Sequence, residues 1–251
     1  MRTLNGTLRE RSRPLFAGFP GLHGAIEAVL EGAAGTVYAD ETDDPHVVRA
    51  VVGDFHMIAG DASRPAAVEA LRAVPKGDYI AVPDGWHDLV RSTLANVQPK
   101  TRIAMRAPES WDPQALVRVR ETLPAGYMLT RVDKRNVKEF RDLNETFVAN
   151  FKSLPDFLRR GIGFTVSNED GEIVAGCSTY TISSRCLEFE IETRRDYWRR
   201  GLALVTGARM IEHCLEVGLE PCWDAAHEGS AVLAERLGFV RVREYTGYKL
   251  S

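Results

Sequence analysis

The sequence predicts an α/β protein of the α+β kind, with a mixed central sheet flanked by helices and a smaller mixed α/β unit ahead of it. Three observations predict this. Apolar runs of strand length alternate with amphipathic helical stretches along the whole chain. Glycine stands where three helical stretches must stop, at Gly32, Gly218 and Gly238. Hydrophobic content of 44% and charged content of 27% match an ordinary globular protein.

Taken in order, "LHGAIEAVLEG" sets Leu22, Ile26, Val29 and Leu30 at helical spacing. "TVYAD" and "HMIAGD" read as strands, and "PAAVEALRAV" as a helix entered at Pro65. "YIAV" is a strand, "WHDLVRSTLANV" a helix and "RIAM" a strand. Pro124, Ala125 and Gly126 then break a helical stretch, so the domain boundary is placed there, dividing residues 1–125 from 126–251. Beyond it "YMLTRV" is a strand, while "NVKEFRDLNETFVANF" and "SLPDFLRRG" are helical. "GFTVSNEDGEIVAGCSTYTI" is a hairpin that turns at "NEDG", with Gly171 free to take positive φ. "LEFEIET" is a strand, and "GLALVTGARMIEHCLEVG" a helix with Leu204, Ala208, Ile211 and Leu215 on one face. A strand "EPCWDAA", a helix from Ser230 to Leu237 and a strand "FVRVREYTGYKL" complete the chain. No repeat is visible between its halves.

A net charge of −3 and a pI near 6.1 leave no global field for nucleic acid or an anionic membrane. The first sixteen residues lack the apolar core of a signal peptide, and no apolar run has the length of a membrane span. Cys177, Cys186, Cys214 and Cys222 show neither CxxC spacing nor the density of a disulfide framework, and the histidines show no ligand spacing. Buried free thiols in a cytoplasmic protein without a metal centre are expected.

Three motif matches fail. "GLALVTGARM" lacks the spacing and the Lys–Ser/Thr of a phosphate-binding P-loop. "GIGFTV" precedes a strand and lacks a third glycine, and "GCSTY" has Tyr180 where a nucleophile elbow needs glycine. "RRDYWRRGLA" survives. A strand running into a glycine turn and then a helix leaves free N–H groups at the helix start, and helix dipole and arginines together suit an anion. Gly201 admits a close ligand, Ala203 keeps the first turn small, and Arg199 and Arg200, with Arg194 and Arg195 nearby, add positive charge. A solvated basic turn is the competing reading. In the preceding strand Glu188, Glu190 and Glu192 share one face, where burial and mutual repulsion would raise their pKa values. A cleft that receives a cationic partner accounts for them.

On these residues the second half resembles the GNAT N-acetyltransferase superfamily, whose coenzyme A loop reads Arg/Gln-x-x-Gly-x-Gly/Ala. "WRRGLA" falls between strand and helix where that loop belongs. More narrowly, nearly the whole chain is similar to the GNAT family that includes the zwittermicin A resistance acetyltransferase. The likeness runs through "VLEGAAGTVYAD", "LPAGYMLTRVD", "FLRRGIGF", "IEHCLEVGLEPCWDAA" and "YTGYKL". It implies a first domain of the same type and acetyl-CoA as acyl donor, without a metal. By position, the amides of Arg199, Arg200, Gly201, Leu202 and Ala203 are expected to hold the pyrophosphate. Ile191 and Thr193 are expected against the pantetheine arm or the start of the loop, and Ser230 as the cap of the helix beside that arm.

Trp198 replaces the loop's first Arg/Gln, His227 replaces an asparagine, and Ala234 stands where a tyrosine general acid often sits. The resemblance implies an acyltransferase moving an acetyl group to a small-molecule primary amine, in a monomer or homodimer. An acyl-CoA-binding module without catalysis is the alternative. Glu188 is expected to take the amine proton, with Glu190 in reserve. A strand N–H would polarise the carbonyl, and with no tyrosine the thiolate would leave unaided; Tyr245 and Tyr248 could serve it but are read first as packing or substrate contacts. His227 is expected to cap its helix sooner than to bind a phosphate, and Trp198 and Trp223 to be wall and packing residues.

Overall fold

The computed structural model describes all residues, Met1–Ser251. An eight-stranded sheet runs in the order β1-β2-β3-β4-β5-β13-β6-β12, built from β1 (Arg2–Leu4), β2 (Thr36–Ala39), β3 (Val47–Val52), β4 (Phe55–Gly60), β5 (Tyr79–Ala81), β6 (Val97–Arg106), β12 (Asp224–Ala225) and β13 (Val240–Leu250). A five-stranded sheet runs β11-β10-β9-β8-β7, from β7 (Met128–Arg131), β8 (Gly163–Ser167), β9 (Ile173–Ile182), β10 (Cys186–Thr193) and β11 (Glu220–Cys222). The helices are α1 (His23–Glu31), α2 (Pro65–Arg72), α3 (His87–Thr93), α4 (Pro113–Arg120), α5 (Val137–Leu143), α6 (Thr146–Ala149), α7 (Leu154–Arg160), α8 (Leu202–Val217) and α9 (Glu228–Leu237). The mixed α/β class expected from the sequence is the class observed.

Most strands and helices fall where the periodicity puts them, and four differences have physical causes. "NVKEFRDLNETFVANF" is two helices, α5 and α6, because Asn144 leaves helical geometry at φ −155° and its side chain accepts the Thr146 N–H at 3.0 Å. β3 went unassigned because it is buried on both faces, so "VVRAVV" has no alternation to read. Leu215 is 36% exposed while Leu204, Ala208 and Ile211 are buried, since it lies near the free end of α8. The fourth difference matters most for function. "EPCWDAA" is no single strand: β11 pairs in parallel with β10, the chain breaks at Trp223, and β12 pairs antiparallel with β6 in the other sheet.

The halves are joined through the eight-stranded sheet. The final strand β13 lies between β5 and β6, with ten residue pairs to β6 from Val240↔Arg106 to Leu250↔Val97. At this seam Arg102 and Asp224 form a buried ion pair at 2.6 Å, and the Tyr245 hydroxyl donates to Asp224 at 2.8 Å. One apolar cluster crosses it, bringing Leu30, Val48 and Met57 into the same core as Tyr180 and Tyr245. Cys177, Cys186 and Cys214 are buried free thiols, and Cys222 is half-buried.

Candidate active site

β10 and β11 stay paired for three residues only, Cys186↔Glu220 to Glu188↔Cys222. Past that point the chain crosses at Trp223 to the other sheet, so β10 continues to Thr193 with an open flank. The wedge becomes a cavity of about 770 Å³, lined by β10, the turn before α8 and the start of α9. The Arg194 N–H donates to the Val174 carbonyl of β9, while the Thr193 N–H, pointing the other way, donates to the Glu192 side chain. By that alternation the N–H groups of Phe189 and Ile191 face the open flank.

The turn into α8 is built to receive an anion. Gly201 is the residue before the helix, at φ +79°, and no side chain caps the first turn. Nothing lies within 4 Å of where a Gly201 Cβ would be, so the approach to these N–H groups is open. Arg199 is also left-handed, at φ +60°; the other non-glycine residue of this kind is Leu22, at φ 58°. Both line the cavity. Backbone held in an uncommon region by its surroundings points to a functional role.

The arginines divide their duties. Arg200 donates to the Tyr127 hydroxyl at 2.8 Å and the Asp196 carbonyl at 3.1 Å, and stacks over Tyr197. Arg194 is taken up by Glu172. Arg199 has no side-chain hydrogen bond or ion pair and lines the cavity, which leaves it free for a ligand. Trp198 is a wall residue of the cavity and not a packed one: it is 57% exposed, and its indole N–H fixes the Thr193 carbonyl at 2.7 Å. Trp223 does pack, against Phe189 and Phe239.

At α9 the expected cap is corrected. His227 Nδ1 accepts the Ser230 N–H at 3.2 Å, so the histidine caps the helix and Ser230 lies within its first turn. The Ser230 hydroxyl instead accepts the Trp223 indole N–H at 3.1 Å, and Ser230 still lines the cavity. The side chain capping a helix must lie before its first turned residue, and Ser230 falls too late.

Glu188, Glu190 and Glu192 all line the cavity. Glu188 is 3% exposed and accepts the Gly24 N–H at 3.2 Å, at the start of α1. Burial first, then the neighbouring Asp224, push its carboxyl up to about 8. Glu190 is half-buried, and burial followed by Glu192 raises it to about 7. Asp224 also accepts the Leu22 N–H at 3.2 Å, so two acids of the second half take the free donors at the start of α1. Neither tyrosine considered as an acid lines this cavity. Tyr245 is bound to Asp224 with its pKa raised by burial, and Tyr248 pairs with His87 at 2.9 Å. The tyrosines that do line it are Tyr79, Tyr180 and Tyr197, and Thr146 lies beside Glu190.

Several lining residues come from the first half, whose chemistry the sequence alone left open: Asp54 from the β3–β4 turn, Phe55 at the start of β4, Tyr79 from β5, and Arg102 from β6. The turn "GD" between two apolar runs was the available signal. Its relation to β10, more than a hundred residues away, was not written locally.

A splayed parallel strand pair over an uncapped helix start defines the acyltransferase class of fold to which the second half was compared. The matches agree. A model of the GNAT acetyltransferase family matches residues 13–248, and the chain belongs to that family. It is 28% identical over 199 residues to an uncharacterised N-acetyltransferase, YdfB, of Bacillus subtilis, covering 78% of this chain and 72% of that one. A GCN5-related N-acetyltransferase-like protein of Streptococcus suis superposes with a TM-score of 0.87 at 27% identity, over 98% of this chain and 100% of that one. A GCN5-related N-acetyltransferase of Kribbella flavida shares the fold at a TM-score of 0.57 and 17% identity, over 91% and 95% of the two chains.

Proposed function

We propose that the protein transfers the acetyl group of acetyl-CoA to a primary amine of a small molecule. The observation that carries this reading is the wedge between β10 and β11, which opens onto the uncapped start of α8. Free N–H groups of Leu202 and Ala203 with Gly201 would hold the diphosphate, joined by the amides of Arg199 and Arg200. The pantetheine arm would lie along Ile191 and Thr193, beside Ser230, with the thioester oxygen toward the Phe189 or Ile191 N–H. The residue-level likeness to the group that includes the zwittermicin A resistance enzyme supports a small-molecule acceptor.

An alkylammonium with a pKa near 10.4 is neutral at pH 7 only at a cost of about 4–5 kcal/mol. Glu190 is suited to accept its proton, being near half ionised at neutral pH and unburdened by backbone donors. Glu188, ranked first from sequence, is tied to α1 and is the second candidate. The neutral nitrogen attacks the carbonyl carbon, a C–N bond forms, and the C–S bond breaks. The second amine proton goes to the departing thiolate, giving the amide and coenzyme A.

Coenzyme A release across an amine panel tests this. Because the base must be ionised, kcat/KM should rise with pH through about 7 and then level. Glu190→Gln should lower turnover by about 10²–10⁴ and abolish that limb, while coenzyme A still binds. Unchanged turnover would transfer the role to Glu188. The second reading, an acyl-CoA-binding module, draws on Ala234 and on the removal of Tyr245 and Tyr248 from the cavity. It predicts coenzyme A binding with no amine-dependent thiol release.

A further inference from the structure

The acceptor end of the cavity has a feature the transfer chemistry does not use. The β3–β4 hairpin closes with two residues, Gly53 at φ +56° and Asp54. Its tip is fastened to the second half: the Tyr180 hydroxyl donates to the Val52 carbonyl at 3.2 Å, and a Cβ on Gly53 would lie 2.9 Å from both that hydroxyl and Asn150 Oδ1. Only glycine permits so close a seat. The consequence is that Asp54 is held at the cavity wall with its carboxylate in no hydrogen bond or ion pair.

The charges around it do not balance. Of the cations lining the cavity, Arg199 and Arg236 belong to the cofactor end, by α8 and α9. Arg102 is consumed by Asp224 at 2.6 Å and lies over the Phe55 ring at 4.9 Å. Lys249 covers Tyr79 at 5.0 Å and is outside the lining. Asp54 and Glu190 therefore face the same space, close enough for Asp54 to raise the pKa of both Glu190 and Tyr180, and the cation that opposes it there is Arg102, already paired with Asp224. Glu188, 3% exposed, adds an oxygen with no protein partner, its other oxygen being held by Gly24. Asp54 is exposed and unpaired at the mouth of the cavity, where a carboxylate beside the β10 acids favours a positive ligand.

We infer that Asp54 is a specificity-determining residue of the acceptor site, holding a second cationic group on an amine acceptor whose first nitrogen is presented to the β10 carboxylates. The inference rests on the acetyl-transfer reading and adds the acceptor class: a diamine or polyamine-like dication. Glu190 takes a proton from the reacting nitrogen, while Asp54 binds a nitrogen that stays charged.

The test compares 1,4-diaminobutane and longer diamines with butylamine, by thiol release and by calorimetry in the presence of coenzyme A. The diamine should exceed butylamine by about tenfold or more in kcat/KM, chiefly through KM, and bind correspondingly tighter. Asp54→Asn should bring that ratio close to one, Asp54→Glu should restore part of it, and Asp54→Lys should reverse it. Melting temperatures would check that each variant folds. Equal use and equal binding of mono- and diamines, or a preference that survives Asp54→Asn, would overturn the assignment while leaving acetyl transfer intact. Tighter diamine binding that depends on Asp54, without thiol release from any amine, would uphold the cation site and overturn the transfer reading.

Discussion

The two halves of the molecule contain the same joint in two states. In the first, β4 and β5 run parallel for Phe55↔Tyr79 to Met57↔Ala81 with α2 between them in sequence; in the second, β10 and β11 do the same around α8. In the first half β5 is followed in the sheet by β13, and the joint is shut. The buried Trp86 donates its indole N–H to the Gly60 carbonyl at the end of β4 at 3.1 Å and packs in one apolar cluster with Ile58 and Ile80 of these two strands. The turns differ in the same sense. Before α2, Asp61 accepts both the N–H and the hydroxyl of Ser63, and Pro65 brings no N–H. Before α8 the donors are free and the nearby side chains are cationic. One arrangement thus serves as scaffold where an aspartate precedes the helix and a proline removes a donor, and as a binding site where glycine and arginines precede it.

The largest way to disturb this contrast is to unplug the closed joint. Trp86→Ala should destabilise the protein by about 3–5 kcal/mol in urea unfolding. Coenzyme A stoichiometry by calorimetry should remain one per chain, because Asp61 still sets a negative charge before α2 and Pro65 still lacks an N–H. Two sites in the variant would mean that the plug alone separates the halves.

A smaller effect is expected at Glu188. Its folded pKa of about 8 lies well above the ordinary 4.5, so between those values the folded chain keeps a proton that the unfolded chain has lost. Stability therefore falls as pH rises through that window. Glu188→Gln cannot ionise and retains an acceptor for the Gly24 N–H. It should lie close to the parent near pH 5 and exceed it by up to about 4 kcal/mol at pH 8.5, read from paired melting curves. Equal curves at both pH values would show that the carboxylate is better compensated than its surroundings indicate.

The smallest stability effect sharpens the open joint. Gly201→Ala places a Cβ at positive φ in open space, costing about 1–2 kcal/mol. Coenzyme A affinity should fall by tenfold or more, since the methyl group stands before the free donors. Unaltered affinity would move the diphosphate away from this turn.

The features legible in the sequence are those whose cause lies within a few residues. "WRRGLA" shows its helix start because glycine, arginine and the helical spacing that follows are consecutive, and "LEFEIET" puts its acids on one face by the geometry of a strand. The Ser230 cap was misread at the scale of a single turn, where one residue's difference changes a capping side chain into an interior one. Strand β3 was missed because burial on both sides erases alternation, and the break at Trp223 because each fragment joins a partner distant in sequence.

The sequence by itself determined the mixed α/β class, most of its elements, and the turn and carboxylate strand of the candidate site, since local propensity and side-chain period act over neighbouring residues. Only the tertiary structure decided that β13 enters the first half's sheet, that β11 and β12 part to open the wedge, and that Asp54 reaches its wall. Those outcomes depend on which distant strands bury each other's faces and bond each other's edges, a choice made by the whole chain together.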